Sequence, residues 1–158
     1  MRKIIFLDMD GGIAGPNPKR KTWGILPKNQ DFLRRILNET VAELVISSSW
    51  RYVTVHQTID YFNKQGFLFC DRITGVTPRL YLEGVSIPRG VEIQQFIREH
   101  VWQHGKWEKV GDTYVYVILD DDSDMLYTQR DYFIKTDSRI GLTEEITQKA
   151  IDILNQYD

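Results

Sequence analysis

The length, composition and charge of the chain limit what kind of protein it can be. With 158 residues, of which 42% are hydrophobic and 27% charged, the chain has the length and composition of one globular domain. A formal net charge of −2 excludes an overall positive field of the kind that marks many nucleic-acid-binding proteins, although a local basic patch stays open. We therefore expect a single domain over residues 1–158.

The cysteine count and the apolar runs bear on location. One cysteine, Cys70, cannot form a disulfide within the chain. Acids interrupt the apolar run of the N-terminal segment MRKIIFLDMD, which is not typical of a signal peptide. No later apolar run is long enough to span a bilayer. We expect a soluble cytoplasmic protein with no membrane partner, and no feature of the sequence fixes its oligomeric state.

The first half of the chain alternates apolar runs with helical periodicity. The run KIIFL over residues 3–7 predicts a buried strand that ends in acids and glycines. Helical spacing follows over residues 27–40, and the run VAELVI over residues 41–46 predicts a second buried strand that ends in three serines. A helix predicted over residues 52–64 closes near Gly66, a residue type that favours a helix C-terminus.

The second half continues this alternation. The predicted elements are, in order, a strand and turn over 67–78, an irregular connection over 75–90, an amphipathic helix over 89–103, a polar loop over 105–112, a strand over 113–119, a short strand over 131–136 and a helix from Thr143 to Leu154. Strands that alternate with helices at this spacing predict a mostly parallel sheet with helices on both faces. The fold class is therefore α/β, three-layered and Rossmann-like.

Three of the predicted strands end in clusters of acids or hydroxyl groups. Asp8 and Asp10 follow the first strand, residues 47–49 are serines that follow the second, and residues 120–122 are aspartates that, with Asp124, follow the third. Ligands of open parallel sheets bind beyond the carboxyl ends of the strands. Gathered carboxylates repel each other unless a cation lies among them, and a hard oxygen site with open positions suits Mg²⁺.

Such a site has the groups that phosphoryl transfer requires. A carboxylate can act as the nucleophile and form an aspartyl-phosphate, which divides one difficult transfer into two easier ones. A serine hydroxyl at a strand-to-helix turn can hold a phosphate oxygen, and Ser47, directly after the apolar run, is favoured over Ser48. Arg89 and Arg51 are the candidate cations for the phosphate. Gly11 allows the backbone to turn sharply and approach the ligand.

The motifs that carry these residues resemble those of a known superfamily. LDMDGG, LVISSS and VILDDDSD occur in the order of the first, second and fourth motifs of the haloacid dehalogenase (HAD) phosphohydrolases, which they resemble. The third motif of that superfamily usually supplies a lysine, and the matching place before the amphipathic helix holds Arg89. The resemblance spans most of the chain.

The resemblance implies a role for each acid. Asp8 would be the nucleophile and a magnesium ligand. Asp10 would be the general acid and base, with its backbone carbonyl on the metal. Asp120 would be the third protein ligand to Mg²⁺, and Asp121 or Asp124 would hold metal-bound water.

Shorter phrases narrow the resemblance. SSSWR, TP followed by RG-x-EI, and ILDDD with FIKTD and GLT are similar to a subgroup of HAD domains linked with RNA-repair proteins. The short interval between the first two motifs implies that no large cap domain is present. An open site of this kind would admit a large phosphorylated substrate. The expected function is a magnesium-dependent phosphatase whose substrate is a nucleic-acid terminal phosphate or a nucleotide.

Other functions compete with this hypothesis. One alternative is a non-catalytic binding module that kept the fold, against which the intact pair Asp8 and Asp10 argues. Another is a phosphatase of a small metabolite or a protein. A third is a receiver-like domain, but there the paired acids come early and the phosphate-accepting aspartate ends a later strand, which reverses the order of this chain.

Two further features lie near the first motifs. The basic run over residues 19–21 is typical of a solvated loop, and it could instead steer a polyanion towards the site. Trp50, Trp102 and Trp107 are expected to serve in packing, with the alternative that Trp23, Trp50 or Tyr81 lies near the open site and stacks on a nucleobase.

Overall fold

The elements of the computed structural model, which describes residues 1–103 and 106–158, follow the predicted alternation. The strands are β1 (Arg2–Leu7), β2 (Ala14–Asn17), β3 (Thr22–Ile25), β4 (Glu43–Ile46), β5 (Ile73–Val76), β6 (Tyr114–Asp120) and β7 (Phe133–Lys135). The helices are α1 (Pro27–Thr40), α2 (Val55–Lys64), α3 (Arg89–Phe96) and α4 (Glu144–Asn155). The predicted polar loop over 105–112 lies partly outside the described residues.

Five of the strands form one parallel sheet in the order β5-β4-β1-β6-β7. Parallel neighbours require crossover connections, and the helices between the strands supply most of them. The strand with the first motif, β1, is therefore central, with β4 on one side and β6 on the other. This arrangement confirms the predicted Rossmann-like α/β class.

Each face of the sheet has its own apolar core. Along β1, Ile5 and Leu7 belong to the core that α1, α2 and α4 cover, whereas Ile4 and Phe6 belong to the core under α3. This alternation is the period-two pattern of a strand buried on both faces. Full burial of each such side chain stabilises the fold by about 1.5–3 kcal/mol. The helices thus lie on both sides of the sheet, as predicted.

Two predicted boundaries move because of helix capping. Val41 has φ 56° and donates its N–H to the Leu37 carbonyl at 3.0 Å, so it ends α1 rather than beginning the next strand. The second helix begins at Val55 because Thr54 caps it, accepting the Gln57 N–H at 3.1 Å. Both shifts follow from capping hydrogen bonds that apolar periodicity does not encode.

The amphipathic helix predicted over residues 89–103 is shorter in its regular part. After Phe96 the chain continues as a π-helical turn over Ile97–Val101, and Trp102 is extended. The apolar positions of this region still face the sheet, since Ile93, Phe96 and Ile97 are buried in the core under α3.

A two-stranded hairpin stands outside the central sheet and was not predicted. Strand β2 pairs antiparallel with β3, with Pro16 opposite Trp23, directly after the first motif. Its glycines and prolines give it the composition of a loop, so its sequence lacks the alternating apolar pattern that predicts a strand. Among the described residues this hairpin is all that separates β1 from α1, so no large cap domain covers the sheet edge there.

None of the helices in the described parts of the chain combines the length and the apolar character needed to cross a membrane.

Candidate active site

The sheet register brings three strand ends into one row. Leu7, the last residue of β1, pairs with the last residue of β4 and with Leu119 of β6. The residues that directly follow these three strands are Asp8, Ser47 and Asp120. They therefore lie side by side at the carboxyl edge of the sheet. The strand alternation directs this row towards the face that α3 covers. The structure thus brings together predicted site residues that are more than 100 positions apart in the sequence.

Three carboxylates form the centre of the site. One oxygen each from Asp8, Asp120 and Asp121 lies within 4.8 Å of the others. Asp8 is 6% exposed and Asp120 is 2% exposed. Burial, with a further contribution from the Asp120 carboxylate, raises the pKa of Asp8 to about 8. Burial also raises the pKa of Asp120 to about 6. Without a cation, this arrangement holds protons more tightly than ordinary aspartates do.

The oxygen atoms of this cluster fit a magnesium ion. Asp120 accepts the Asp122 N–H through Oδ1 at 2.9 Å, while its Oδ2 is buried without a hydrogen-bond partner among the described residues. The buried hydroxyl of Ser47 likewise has no partner among them. Buried polar atoms are normally paired, so unpaired oxygens gathered at one edge indicate a ligand. Carboxylate oxygens are the donors that Mg²⁺ prefers.

Arg89 supplies positive charge at one side of the cluster. It opens α3, and its half-buried guanidinium donates to the Ser47 carbonyl. Its Nε lies 4.0 Å from Asp120 Oδ2. The same guanidinium lowers the pKa of Asp8 and so opposes part of the effect of burial. This is the place that the resemblance gives to the cation of the third motif.

Asp124 occupies a different position from the other candidate metal ligands. Its Oδ2 accepts the backbone N–H of Arg89 at 2.7 Å, and its carbonyl accepts that of Gly90 at 3.1 Å. The preceding N-cap residue, Pro88, offers no side-chain cap, so Asp124 satisfies the start of α3 instead. It lies outside the group of three clustered carboxylates. Asp124 Oδ2 therefore caps α3, while its buried Oδ1 has no hydrogen-bond partner among the described residues, and the expectation that Asp121 or Asp124 holds metal-bound water stays a prediction.

Arg51 is also placed differently from the prediction that it binds phosphate. It is buried, and its Nε donates to the Thr77 carbonyl at 2.9 Å. Its remaining guanidinium donors bond the carbonyls of the 47–48 turn and of Pro78, and the Glu92 carboxylate at 2.6 Å. Burial lowers the pKa of Arg51 to about 10, which leaves it charged at neutral pH. With every donor group in use, Arg51 holds the serine turn rather than a substrate.

Two more predicted contacts can be located. Ser48 lies near the nucleophile candidate, since its hydroxyl lowers the pKa of Asp8, and the same hydroxyl accepts the backbone N–H of Trp50 at 3.2 Å. Gly11 has φ 76° and donates its N–H to Ala14 at 3.0 Å, so this N–H does not point to a ligand. A Cβ at position 11 would lie 2.6 Å from the Asp121 side chain. Gly11 is therefore required for the close approach of Asp121, not as a phosphate donor.

Asp10 lies beside the cluster and is held by two tryptophans. The indole N–H of Trp23 donates to Asp10 Oδ1 at 2.7 Å, and that of Trp50 donates to Oδ2 at 3.0 Å. Trp50 was expected in packing, and either tryptophan was an alternative stacking partner of a base. Their hydrogen bonds to the acid were missed, because no local pattern links positions 10, 23 and 50.

Two other polar residues near the site were not predicted to take part in it. Glu92 is buried, pairs with Arg51 and also accepts the Leu80 N–H at 3.1 Å. An acid on the apolar face of a predicted helix was the available signal. Thr77 extends the row of strand ends beyond Ser47, since its N–H donates to the carbonyl of the last β4 residue, and its buried hydroxyl lacks a partner among the described residues.

The fold and the site together define a HAD-like α/β domain, with a carboxylate at the end of the central strand and further carboxylates at the end of the next. Over residues 4–146 the sequence matches the family model described as the HAD domain in Swiss Army Knife RNA repair proteins, and the chain belongs to this family. This membership confirms the resemblance suggested by the three motifs and supports a phosphatase-like role at the level of the superfamily, which generally uses Mg²⁺. No curated protein matches the sequence.

Proposed function

We propose that the chain is a magnesium-dependent phosphomonoester hydrolase that works through an aspartyl-phosphate on Asp8. The observation that carries the proposal is the cluster of the buried Asp8 and Asp120 with the half-buried Asp121, in which oxygens of three carboxylates converge within 4.8 Å. A cluster of this kind is unfavourable without a cation, because burial and like charge both oppose ionisation of its members. Carboxylates perturbed in this way are typical of functional sites.

The side chains of Asp8, Asp120 and Asp121, with the backbone carbonyl of Asp10, would hold the metal. When bound, Mg²⁺ would offset the charge of these carboxylates and of the phosphoryl oxygens. Arg89 and the unpaired Ser47 hydroxyl would hold the phosphoryl oxygens from the side of α3. In this way the row of strand ends would orient the phosphorus towards Asp8.

In the first step a carboxylate oxygen of Asp8 forms a bond to phosphorus while the bond from phosphorus to the leaving oxygen breaks. Asp10, as a carboxylic acid, gives its proton to that leaving oxygen. In the second step Asp10, now a carboxylate, takes a proton from a water molecule whose oxygen attacks the phosphorus. The bond between phosphorus and Asp8 breaks, which releases phosphate and restores both aspartates.

A nucleic-acid terminal phosphate is the proposed substrate, with a nucleotide second. Three features support this choice. The site has no large cap in the described residues, the basic residues 19–21 at the turn of the β2–β3 hairpin are exposed, and Trp23 of that hairpin is 52% exposed beside Asp10. Exposed indoles next to basic side chains suit single-stranded nucleic acid. The family description, which names RNA repair proteins, agrees with this choice.

Phosphate release from a substrate panel tests the proposal. The panel contains p-nitrophenyl phosphate, nucleotides, and RNA and DNA oligonucleotides phosphorylated at either the 5′ or the 3′ end, each with Mg²⁺ or with EDTA. The wild-type chain is compared with Asp8→Asn, which keeps the shape of the side chain and removes the nucleophile. Asp60→Asn is the matched control, because Asp60 is exposed on α2 away from the site.

Magnesium-dependent release that is lost in Asp8→Asn and kept in Asp60→Asn is the expected result, with the oligonucleotides turned over fastest. Unchanged release by Asp8→Asn would exclude the aspartyl-phosphate mechanism. A folded, Mg²⁺-binding wild-type protein that releases no phosphate from any panel member would favour a non-catalytic binding module instead.

A further inference from the structure

The Asp10 carboxylate is fixed from two sides by neutral donors. Trp23 Nε1 lies 2.7 Å from Oδ1, and Trp50 Nε1 lies 3.0 Å from Oδ2. Each oxygen of a carboxylate has about two lone-pair sites, so one indole on each oxygen leaves each with a site for a substrate oxygen or a water. Together the two bonds restrict the rotation of the carboxylate about its terminal torsion angle, which is otherwise soft.

The two indoles are anchored differently. Trp50 follows the serine turn, and its ring packs edge-on against Tyr61 at 6.0 Å and Phe62 at 6.2 Å, so it is tied to the core under α2. Trp23 is 52% exposed and reaches Asp10 only through the β2–β3 hairpin. One donor is therefore anchored on the apolar core and the other on a small peripheral element.

We propose that Trp23 and Trp50 are positioning residues that orient the Asp10 carboxylate for proton transfer. Because one of the two bonds comes from Trp23, this orientation depends on the placement of the β2–β3 hairpin. This inference rests on the proposed function, in which Asp10 exchanges a proton with the leaving oxygen and with water. Displacement of the hairpin removes the bond to Oδ1 and leaves the bond from Trp50 to Oδ2. The carboxylate then regains rotation and spends less time in the reactive orientation.

The contact itself can be tested without turnover, by NMR of the indole N–H groups. The chain has four tryptophans, so its ¹H–¹⁵N spectrum should contain four indole signals. Trp23→Phe and Trp50→Phe assign two of them by loss of a signal. Asp10→Ala should shift those two, and leave those of Trp102, which bonds the Tyr114 hydroxyl at 3.2 Å, and Trp107 in place. Unshifted Trp23 and Trp50 signals in Asp10→Ala would overturn the inference.

The positioning role is tested by a double-mutant cycle. Trp23→Phe keeps an aromatic ring for stacking and removes the N–H donor together with the five-membered ring that carries it. We expect kcat to fall about tenfold, a fraction of what a general acid contributes, with KM little changed. The loss should be larger for alkyl phosphates than for p-nitrophenyl phosphate, whose leaving group needs less protonation. In the Asp10→Ala background, Trp23→Phe should cause no further loss, because the group that it positions is absent.

Trp107→Phe is the matched control, since Trp107 is 66% exposed, lies away from the site and should keep wild-type kcat. Equal losses from Trp23→Phe in the wild-type and Asp10→Ala backgrounds would show a general structural effect and overturn the positioning role. A rise in KM alone would assign Trp23 to substrate stacking, which also overturns it. Failure of the proposed function is a separate outcome, seen as absent Asp8-dependent release in the wild-type chain.

Discussion

Asp8 and Asp120 lie side by side at the ends of neighbouring parallel strands, where the Asp8 N–H donates to the Leu119 carbonyl at 2.9 Å. This bond extends the sheet register by one residue past β1 and holds the two carboxylates against each other. The folded chain without metal therefore carries an electrostatic cost at its centre. The stability of the folded chain should therefore depend on pH and on bound metal.

Asp8→Asn should stabilise the metal-free protein at alkaline pH. The pKa of Asp8 is about 8 in the folded chain against an ordinary value of 3.8, so folding favours the protonated form. Wild-type stability is then lost as pH rises from about 4 to about 8, and an amide avoids that loss. We expect the variant to exceed the wild type by more than about 2 kcal/mol at pH 8, with little difference below pH 4. Thermal unfolding in EDTA at several pH values measures this.

Exposed Asp60 again supplies the control for that experiment. Asp60→Asn should unfold much as the wild type does, because Asp60 is exposed on α2 and lies outside the carboxylate cluster. A pH-independent difference between Asp8→Asn and the wild type would show that the stabilisation does not come from removing the buried Asp8 charge.

Asp121 and Asp124 should separate into a metal-binding and a capping residue. Asp121→Ala removes a carboxylate from the cluster, and we expect Mg²⁺ affinity to fall at least about tenfold with little loss of stability. Asp124→Ala removes the acceptor of the Arg89 N–H, and we expect a loss of about 1 kcal/mol of stability with a smaller change in affinity. Isothermal titration calorimetry and denaturant unfolding distinguish the two. The reverse assignment of the two losses would be inconsistent with the structure.

Arg51 should matter for stability rather than for substrate binding. Arg51→Met removes the nearer of the two ion-pair partners of the buried Glu92, at 2.6 Å against 3.7 Å for Arg89, and leaves several carbonyls without a donor. A loss of about 3–5 kcal/mol is expected, measured by denaturant unfolding. The double variant Arg51→Met/Glu92→Leu should recover part of it, because no buried charge remains unpaired. Arg130→Met, at an exposed site, should be near neutral.

The basic turn of the hairpin should control the salt dependence of oligonucleotide turnover. Changing Lys19, Arg20 and Lys21 together to Gln removes up to three phosphate contacts. The slope of log(kcat/KM) against log salt should then become shallower by about 2, at roughly 0.7 per contact with a single strand. Hydrolysis of p-nitrophenyl phosphate by the same variant serves as the control and should not change. A flat salt response in the wild type would remove nucleic acid as the favoured substrate.

The sequence by itself determined the strands of the central sheet, most of the helices and the residue types at the strand ends. Buried strands such as β1 and β6 are continuous apolar runs, and α4 begins where Thr143 caps the Ile146 N–H at 3.2 Å. These features depend on neighbours within a few residues, so local periodicity and capping rules recover them. The order of the three motifs and the acids within them indicated the family, and the family match over residues 4–146 confirms it.

Only the tertiary structure decided which polar residues lie in the carboxylate cluster and which bond the backbone or each other. Asp121 and Asp124 look equivalent in the run DDDSD, but the start of α3 takes Asp124 as its cap and leaves Asp121 in the cluster. Likewise the buried Glu92 holds Arg51 at 2.6 Å, while Arg89 lies between Glu92, at 3.7 Å, and Asp120, at 4.0 Å. These choices depend on strand register and on side chains from distant segments competing for the same donors and acceptors, which no local sequence pattern records.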